Sequence, residues 1–114
     1  TLKQNEEQIG PKSTEWAAGL YEGEGSLCVY REKYWKLCIK MTDEDVVRDV
    51  HRSLGVGTVS GPHHSPSKPA HHKADYSWTV YKKADIFKVV CEFYPYMGER
   101  RRAKFDEFLT TYGN

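Results

Sequence analysis

Polar and apolar residues alternate along two segments in the first half of the chain, at residues 26–30 and 36–41. On one side of this alternation the side chains are apolar, namely Leu27, Val29, Leu37, Ile39 and Met41. On the other side they are mostly polar, namely Ser26, Cys28, Tyr30, Lys36, Cys38 and Lys40. A period of two is typical of a half-buried strand. The charged turn "REKY" joins the two segments, so they predict a long hairpin.

A second, weaker hairpin is predicted between residues 58 and 81. Its first strand covers Thr58 to Ser60, a long loop runs from Gly61 to Ala74, and its second strand is "DYSWTVY", Asp75 to Tyr81. The residues of this last strand that face the core are predicted to be Tyr76, Trp78 and Val80. Those that face outward are predicted to be Asp75, Ser77, Thr79 and Tyr81.

Residues with helical spacing predict four helices around these hairpins. Thr14 is predicted to cap a short helix from about Glu15 to Glu22. "TDED", Thr42 to Asp45, resembles a capping box and begins a second helix. Two further helices are predicted from about Ala84 to Phe93 and from about Glu99 to Tyr112. The order αββαββαα predicts an α+β domain in which a four-stranded antiparallel sheet has helices on one face.

Composition limits the chain to one domain. Its 114 residues, 39% of them apolar, suffice for one core, so residues 1–13 are predicted to be a polar tail and residues 14–114 a single domain. The three cysteines are widely spaced and predict no disulfide framework. No apolar run approaches the roughly 20 residues that cross a bilayer, and a signal peptide's charged and apolar regions are missing. We therefore expect a cytoplasmic or organellar protein with no membrane partner.

The uncovered face of the predicted sheet is the first candidate for binding. The net charge is only +1, so an interaction with nucleic acid would depend on where the charges lie. The outward residues of the strands are polar, and Ser60 belongs to the same set. A two-stranded ribbon fits the major groove of DNA, where base edges present distinct donor and acceptor patterns. Polarity alone favours a solvated face, so it only supports the DNA interpretation.

The stretch "AAGLYEGEG", Ala17 to Gly25, is a more specific signal. It resembles the motif that names the LAGLIDADG homing endonucleases, with glutamate in place of both aspartates. "KMTDEDVVRDVHRSLGVGTV" resembles the family's second strand, middle helix and third strand, and "YPYMGERRRAKFDEFL" resembles its C-terminal helical segment. The resemblance covers about Glu15 to Leu109. It implies the αββαββα fold of this family, with a saddle-shaped four-stranded sheet, and site-specific cleavage of double-stranded DNA.

The glycines of the motif predict contact between two copies of the chain. Gly19 and Gly23 are four residues apart, so they share a helix face on which two backbones can approach closely. Only one motif occurs, and the resemblance implies that such members pair as C2 homodimers and read a pseudo-palindromic DNA target. The predicted interface residues are Ala18, Gly19, Glu22 and Gly23. The alternative, that the glycines only end a short helix, explains Gly19 poorly.

The resemblance also implies the chemistry of the site. It aligns Glu24 with the metal-binding acid, and the Gly23 carbonyl is expected to be an additional ligand. Mg²⁺ suits such a site because it prefers hard oxygen ligands and keeps several waters. The implied reaction is phosphodiester hydrolysis that leaves short 3′ overhangs, with no small-molecule cofactor. Glu22 is expected to support the helix terminus.

Two further catalytic residues are implied less directly. Asp43 aligns with a polar residue that positions water, although an acid there also suits the first turn of the following helix. Arg100 aligns with a basic residue near the scissile phosphate. A shift of one residue would give this role to Arg101 or Arg102. The alternative for at least two of these arginines is anchoring of other phosphates or exposure to solvent.

The remaining predictions concern DNA contacts and competing functions. Four histidines occur in the loop of residues 61–74, but without a nearby cysteine we expect a polar surface there and no zinc site. The predicted DNA-binding residues are Ser26, Cys28, Tyr30, Lys36, Cys38, Lys40, Ser60, Lys68, Lys73, Asp75, Ser77, Thr79 and Tyr81. Two other classes stay open. One is a LAGLIDADG-like regulator or intron RNA splicing factor that does not cut, and the other is an α+β protein with a coincidental motif.

Overall fold

The computed structural model describes residues 12–64 and 73–112, which form four helices, one 3₁₀ turn and four strands. The helices are α1 (Thr14–Glu24), α2 (Glu44–Leu54), α3 (Lys83–Phe93) and α4 (Glu99–Tyr112), and the 3₁₀ turn is Tyr94–Tyr96. The strands are β1 (Gly25–Tyr30), β2 (Tyr34–Met41), β3 (Thr58–His63) and β4 (Asp75–Val80). The predicted order of elements is confirmed. Residues 1–11 of the predicted tail lie outside the described ranges.

The four strands form one antiparallel sheet with the order β1-β2-β4-β3. Gly25 lies opposite Ile39 where β1 pairs with β2, which confirms the long first hairpin. Leu37 lies opposite Val80 where β2 pairs with β4. Strands β2 and β4 are therefore central, and β1 and β3 are the two edges of the sheet.

The hydrophobic core lies between one face of the sheet and the helices. The strands contribute buried residues at most of the positions that alternation predicts, namely Leu27, Leu37, Ile39, Trp78 and Val80, whereas Val29 next to the turn is 40% exposed. The helices contribute Val47, Val50, Ile86, Val89, Phe93, Phe105 and Phe108. The packing confirms the α+β architecture with helices on one face of the sheet. No helix formed by residues 12–64 or 73–112 is long and apolar enough to cross a bilayer.

Three helix starts differ by one residue from the sequence prediction, and the simplest case is α3, which begins at Lys83 and not at Ala84. The cap of α1 is Ser13, whose Oγ accepts a hydrogen bond from the Trp16 backbone N–H at 3.1 Å, whereas Thr14 is the first helical residue. Adjacent hydroxyl residues satisfy the same capping rule, so the sequence alone does not separate them. The N-cap of α2 is Asp43 and not Thr42, and the Asp43 side chain makes no capping hydrogen bond. The capping box predicted at Thr42 is therefore wrong.

Strand β3 is longer and less regular than predicted. The sequence predicts its end at Ser60, whereas the strand continues to His63. Its pairing with β4 shifts register between these two residues, and Pro62, which has no backbone N–H to donate, lies within the shift. Tyr81, predicted to belong to the last strand, follows the end of β4. Lys68 lies outside the described residues.

Gly25 joins α1 to β1 at a point where the Tyr21 ring packs against the backbone. A β-carbon at position 25 would overlap the atoms of this ring. Tyr21 is 1% exposed, and its ring centroid lies 5.4 Å from that of Phe93 and 5.5 Å from that of Phe105. The glycine is required here because the ring occupies the space of a side chain.

Replacement of this glycine should test that packing. Gly25→Ala is expected to lower the free energy of unfolding by about 1–3 kcal/mol, because the Tyr21 ring must move against two other buried rings. Alanine at Gly55 or Gly57 would be a poor comparison, because both backbones are left-handed, with φ +73 at Gly55 and φ +87 at Gly57. Gly19→Ala is the matched control, since no heavy atom lies within 4 Å of its added carbon. Denaturant titration measures both, and wild-type stability in Gly25→Ala would contradict the packing argument.

Candidate active site at the end of the first helix

Helix α1 ends in an exposed carboxylate. Glu24 is its last residue, and Gly23 and Glu24 are both exposed. Within residues 12–64 and 73–112, the Glu24 side chain makes no hydrogen bond or ion pair. Glu24 therefore makes no polar contact that would stabilise this part of the subunit, and its carboxylate oxygens are accessible to a ligand.

Glu22 makes structural contacts within its own subunit. Its Oε2 accepts a hydrogen bond from the Gly98 backbone N–H at 3.2 Å, immediately before α4 begins. The Glu22 carbonyl accepts a second hydrogen bond, from Arg101 Nε at 3.2 Å. A carboxylate at the start of a helix is stabilised by the exposed N–H groups and the helix dipole. These contacts give Glu22 a role within its own subunit, and because it is still half-exposed, its place at an interface between two copies stays a prediction.

The three consecutive arginines have different surroundings. The Arg101 guanidinium lies 5.5 Å from the centre of the Tyr21 ring, besides its bond to Glu22. Arg102 donates from Nε to the Tyr94 carbonyl and from Nη2 to the Pro95 carbonyl, both at 3.3 Å. Arg100 is exposed and has no hydrogen-bond or ion-pair partner in the described part of the chain. It is therefore the arginine of the three that is best able to contact a ligand.

Asp43 lies at the same end of the first hairpin as Glu24. Glu24 directly precedes Gly25 of β1, which pairs with Ile39 of β2. Asp43 follows the end of β2 by two residues. The Asp43 side chain is exposed and makes no capping bond, so the alternative role at the first turn of α2 is limited to its charge. Arg100 lies on α4, which contacts the end of α1 through the hydrogen bond from Arg101 to Glu22, and Asp43 follows β2, which pairs with the strand that Glu24 precedes.

The oxygen ligands at the end of α1 suit a cation whose coordination is completed by waters and a substrate. Among the described residues, no three His, Cys, Asp or Glu side chains come together as a metal site. The exposed Glu24 carboxylate and the neighbouring Gly23 carbonyl offer two oxygens. Mg²⁺ is usually held by one or two carboxylates together with waters and substrate phosphates, so the residues present fit this cation.

Titration behaviour distinguishes the buried from the exposed groups near α1. Burial raises the pKa of the Tyr21 hydroxyl well above its usual range, although the nearby Arg101 acts in the opposite direction. Tyr21 therefore stays neutral and acts as a core residue. Hydrogen bonding to its own backbone and to the Tyr96 hydroxyl lowers the pKa of Glu15. This acid at the first turn of α1 is ionised at neutral pH, where it suits the helix dipole.

The face of α1 that the motif glycines occupy is open. No heavy atom of the described chain lies within 4 Å of a β-carbon placed at Gly19 or Gly23. A glycine inside a helix costs about 0.5–1 kcal/mol relative to alanine, and nothing in the subunit requires it at either position. Ala18, in contrast, is 0% exposed and packs in the core of its own subunit, which contradicts its prediction as an interface residue. The candidate interface is therefore Gly19 and Gly23 together with the half-exposed Glu22.

The outward face of the sheet contains most of the predicted DNA-binding residues. Those with exposed side chains are Ser26, Cys28, Tyr30, Lys40, Ser60, Lys73 and Tyr81, and the partly exposed ones are Lys36, Cys38 and Asp75. Ser77 and Thr79 are only 9% and 6% exposed, because their hydroxyls contact neighbouring strands. Ser77 shares a hydrogen bond of 2.9 Å with Ser60. These two residues are therefore the least accessible of the set.

A cavity of about 210 Å³ opens beside the end of α1. Its lining residues come from α1, β1 and α4, and they are Tyr21, Ser26, Leu27, Arg100, Arg101 and Lys104. Sequence reasoning missed Lys104 and gave Arg101 only a secondary role. Arg100 and Lys104 are four residues apart, and this spacing in a predicted helix could have indicated that they share a face.

No protein-family model matches the sequence, and no curated protein matches it. Solved structures, in contrast, share its fold. The homing endonuclease I-CvuI in complex with its target in the presence of calcium is 20% identical, with a TM-score of 0.68. The alignment covers 88% of this chain but only 65% of I-CvuI, so the chain spans less than two thirds of that protein.

Two more structures extend this similarity. The homing endonuclease I-TnaI is 19% identical with a TM-score of 0.67, and the alignment covers 90% of this chain and 73% of I-TnaI. The LAGLIDADG meganuclease I-AabMI, bound to uncleaved DNA, is 17% identical with a TM-score of 0.69. That alignment covers 92% of this chain and 36% of I-AabMI. The fold of the chain is therefore that of the LAGLIDADG homing endonucleases.

Proposed function

We propose that this protein is a site-specific endonuclease for double-stranded DNA that acts as a C2 homodimer and depends on a divalent cation, specifically Mg²⁺. The observation that supports this most is the exposed Glu24 at the end of α1, without a partner in the described chain. The neighbouring Glu22 and Arg101 are, in contrast, engaged within the subunit. An accessible acid at this position, on a fold shared with DNA-bound homing endonucleases, suits metal-dependent cleavage of a bound duplex.

The uncovered face of the sheet is the DNA-binding surface in this proposal. Its exposed side chains combine hydrogen-bond donors, acceptors and aromatic rings, which is what readout of base edges in the major groove requires. Lys36, Lys40 and Lys73 add positive charge for the phosphate backbone. One subunit would cover one half-site, and a second subunit related by a two-fold axis would cover the other.

The two-fold axis in this proposal runs between two copies of α1. Gly19 and Gly23 leave their helix face open, so two helices can pack closely there. Glu24 lies one residue beyond this face, at the end of the helix. Pairing of the helices would therefore bring one Glu24 from each subunit close to the axis, one for each DNA strand.

The chemistry follows from the groups around each Glu24. The Glu24 carboxylate and the Gly23 carbonyl would bind the cation together with phosphate oxygens, and the bound cation supplies Lewis acidity for phosphodiester hydrolysis. Asp43, with its free side-chain oxygens, would accept a hydrogen bond from the attacking water and orient it. Arg100 would donate to the phosphate oxygens as negative charge builds there. One cut in each strand would leave short 3′ overhangs.

Selection of cleaved sites from a randomised duplex library tests this function directly. With Mg²⁺, we expect the wild-type protein to enrich a pseudo-palindromic site cut in both strands with short 3′ overhangs. With a chelator in place of the cation, cleavage should stop. DNA binding should persist, and its affinity should fall with salt by a slope of about 0.9 per neutralised phosphate.

Other outcomes of the same experiment separate the competing functions. Tight, salt-dependent binding that leaves both strands intact in Mg²⁺ would contradict nuclease activity and favour a DNA-binding regulator. Binding of structured RNA in preference to duplex DNA would favour a splicing factor. Absence of any salt-dependent affinity for nucleic acid would favour an unrelated α+β protein.

A further inference from the structure

The cavity beside the end of α1 has a strongly basic lining. Three of its six lining side chains are cationic, from Arg100, Arg101 and Lys104, and none is acidic. Arg100 and Lys104 lie one helical turn apart on α4, so their charged groups can approach the same ligand. Such a concentration of positive charge, with no carboxylate among the lining residues, favours an anion.

Arg101 is held in place before any ligand binds. Its Nε donates to the Glu22 carbonyl at 3.2 Å, and its guanidinium lies against the Tyr21 ring. These contacts use Nε and one face of the group, which leaves the terminal Nη donors for the cavity. A planar guanidinium that is already oriented loses little conformational entropy when it binds an anion.

The β1 side of the cavity adds neutral donors. β1 is an edge strand, so one of its sides has no neighbouring strand. Successive residues of an antiparallel strand direct their backbone N–H groups to opposite sides. Ser26 and Leu27 both line the cavity, so one of the two directs its N–H towards this free edge. The exposed Ser26 hydroxyl is a second donor.

The position of the cavity relates it to Glu24. Ser26 follows Glu24 by two residues, so their Cα atoms are at most about 7 Å apart. A phosphate in the cavity would therefore be close to the acid that the proposed function assigns to cleavage. This distance suits a neighbouring phosphate of the same DNA strand.

We propose that this cavity binds a backbone phosphate of the DNA strand next to the phosphate that is cut, through Lys104, Arg101, the Ser26 hydroxyl and the free edge of β1. The inference rests on the proposed function, because it takes duplex DNA as the ligand. Lys104 is the most informative member. Its Nζ lies 3.2 Å from Glu107 Oε2, and its side chain is 45% exposed, so substitution leaves the core intact.

Salt dependence of DNA affinity tests Lys104 without knowledge of the target sequence. For a mixed-sequence duplex, the slope of log affinity against log salt should fall by about 0.9 in Lys104→Gln, because one phosphate contact is lost. Lys104→Arg keeps the charge and should keep the slope. The matched control is Lys83→Gln, which removes the same charge at the start of α3, where Lys83 Nζ lies over the Tyr112 ring at 5.5 Å.

Each outcome has a distinct meaning. A lower slope in Lys104→Gln alone supports the phosphate site. A wild-type slope in Lys104→Gln, or an equal loss in Lys83→Gln, would overturn it while the proposed function stands. A wild-type protein without salt-dependent affinity for the duplex would contradict the proposed function and this inference with it. Thermal unfolding of all variants shows whether a change in slope reflects a loss of fold.

Discussion

Glu24→Gln should bind its DNA target with nearly wild-type affinity and cut it about a hundred- to a thousandfold more slowly. The substitution keeps the size of the side chain and one oxygen but removes the negative charge that would hold the cation. Metal-assisted charge stabilisation supplies several kcal/mol in the transition state, and 3–4 kcal/mol corresponds to about this loss at 1.36 kcal/mol per tenfold. The subunit should fold normally, because Glu24 makes no hydrogen bond or ion pair in the described chain.

Glu22→Gln is a matched control for this prediction. It makes the same chemical change two residues earlier on the same helix, but the amide oxygen can still accept the hydrogen bond from Gly98. We expect near-normal cleavage and a loss of about 0.3–1 kcal/mol in unfolding free energy, from the weaker interaction with the N-terminus of α4.

Single-turnover cleavage with a saturating amount of enzyme separates the two acids, because it reports the chemical step and not affinity. Filter binding or fluorescence anisotropy in a chelator reports affinity for the same duplex. If Glu24→Gln cut at the wild-type rate while Glu22→Gln did not, the roles assigned to the two glutamates would have to be exchanged.

In the proposed dimer, Gly19→Leu should weaken the pairing of two subunits while each subunit still folds. The isolated subunit should tolerate a side chain at this position, since Gly19 is exposed and no heavy atom lies within 4 Å of the first added carbon. In a dimer, each helix would press its leucine into the other. Overpacking costs about 1–3 kcal/mol per site and occurs twice across a two-fold axis. At 1.4 kcal/mol per tenfold, the dissociation constant of the dimer should rise by at least about thirtyfold.

The isolated subunit should respond to Gly19 substitutions in the opposite direction. Alanine or leucine at this exposed helical position should raise the unfolding free energy of the monomer by up to about 1 kcal/mol relative to glycine. Sedimentation equilibrium measures association, and denaturant titration measures subunit stability. A Gly19→Leu protein that is as dimeric as the wild type would contradict the placement of the two-fold axis on α1.

The strands, and most of their buried positions, could be predicted from the alternation of apolar and polar residues in the sequence. Alternation predicts that Leu37 and Ile39 are buried and that Lys40 is outward, and the structure agrees. Such patterns are reliable because burial of one sheet face constrains every second residue. Helix boundaries are less predictable, since Ser13 and Thr14 can both cap α1 and only the local backbone decides between them.

Predictions for the site failed where tertiary packing decides. Ala18 and Gly19 are adjacent small residues in one motif, yet Ala18 is buried in its own core and Gly19 is open. Gly25 has a different role again, because it accommodates the Tyr21 ring. All three are small residues of one motif, so they look equivalent in the sequence. The different roles of these residues depend on which face of the helix the core covers. That is decided by long-range packing and cannot be read from the motif itself.

The irregular edge strand β3 has a consequence for how copies of this protein can associate. An edge strand with free N–H and C=O groups can pair with the opposite edge of another molecule, and repetition of this contact extends the sheet without limit. Here Pro62 offers no N–H, and the register of the strand is interrupted between Ser60 and His63. Protection of this edge against fibril-like growth therefore comes from the backbone itself. In the proposed dimer, self-association is left to the helix face of Gly19 and Gly23, where two copies related by a two-fold axis would close on each other and assembly would stop at two.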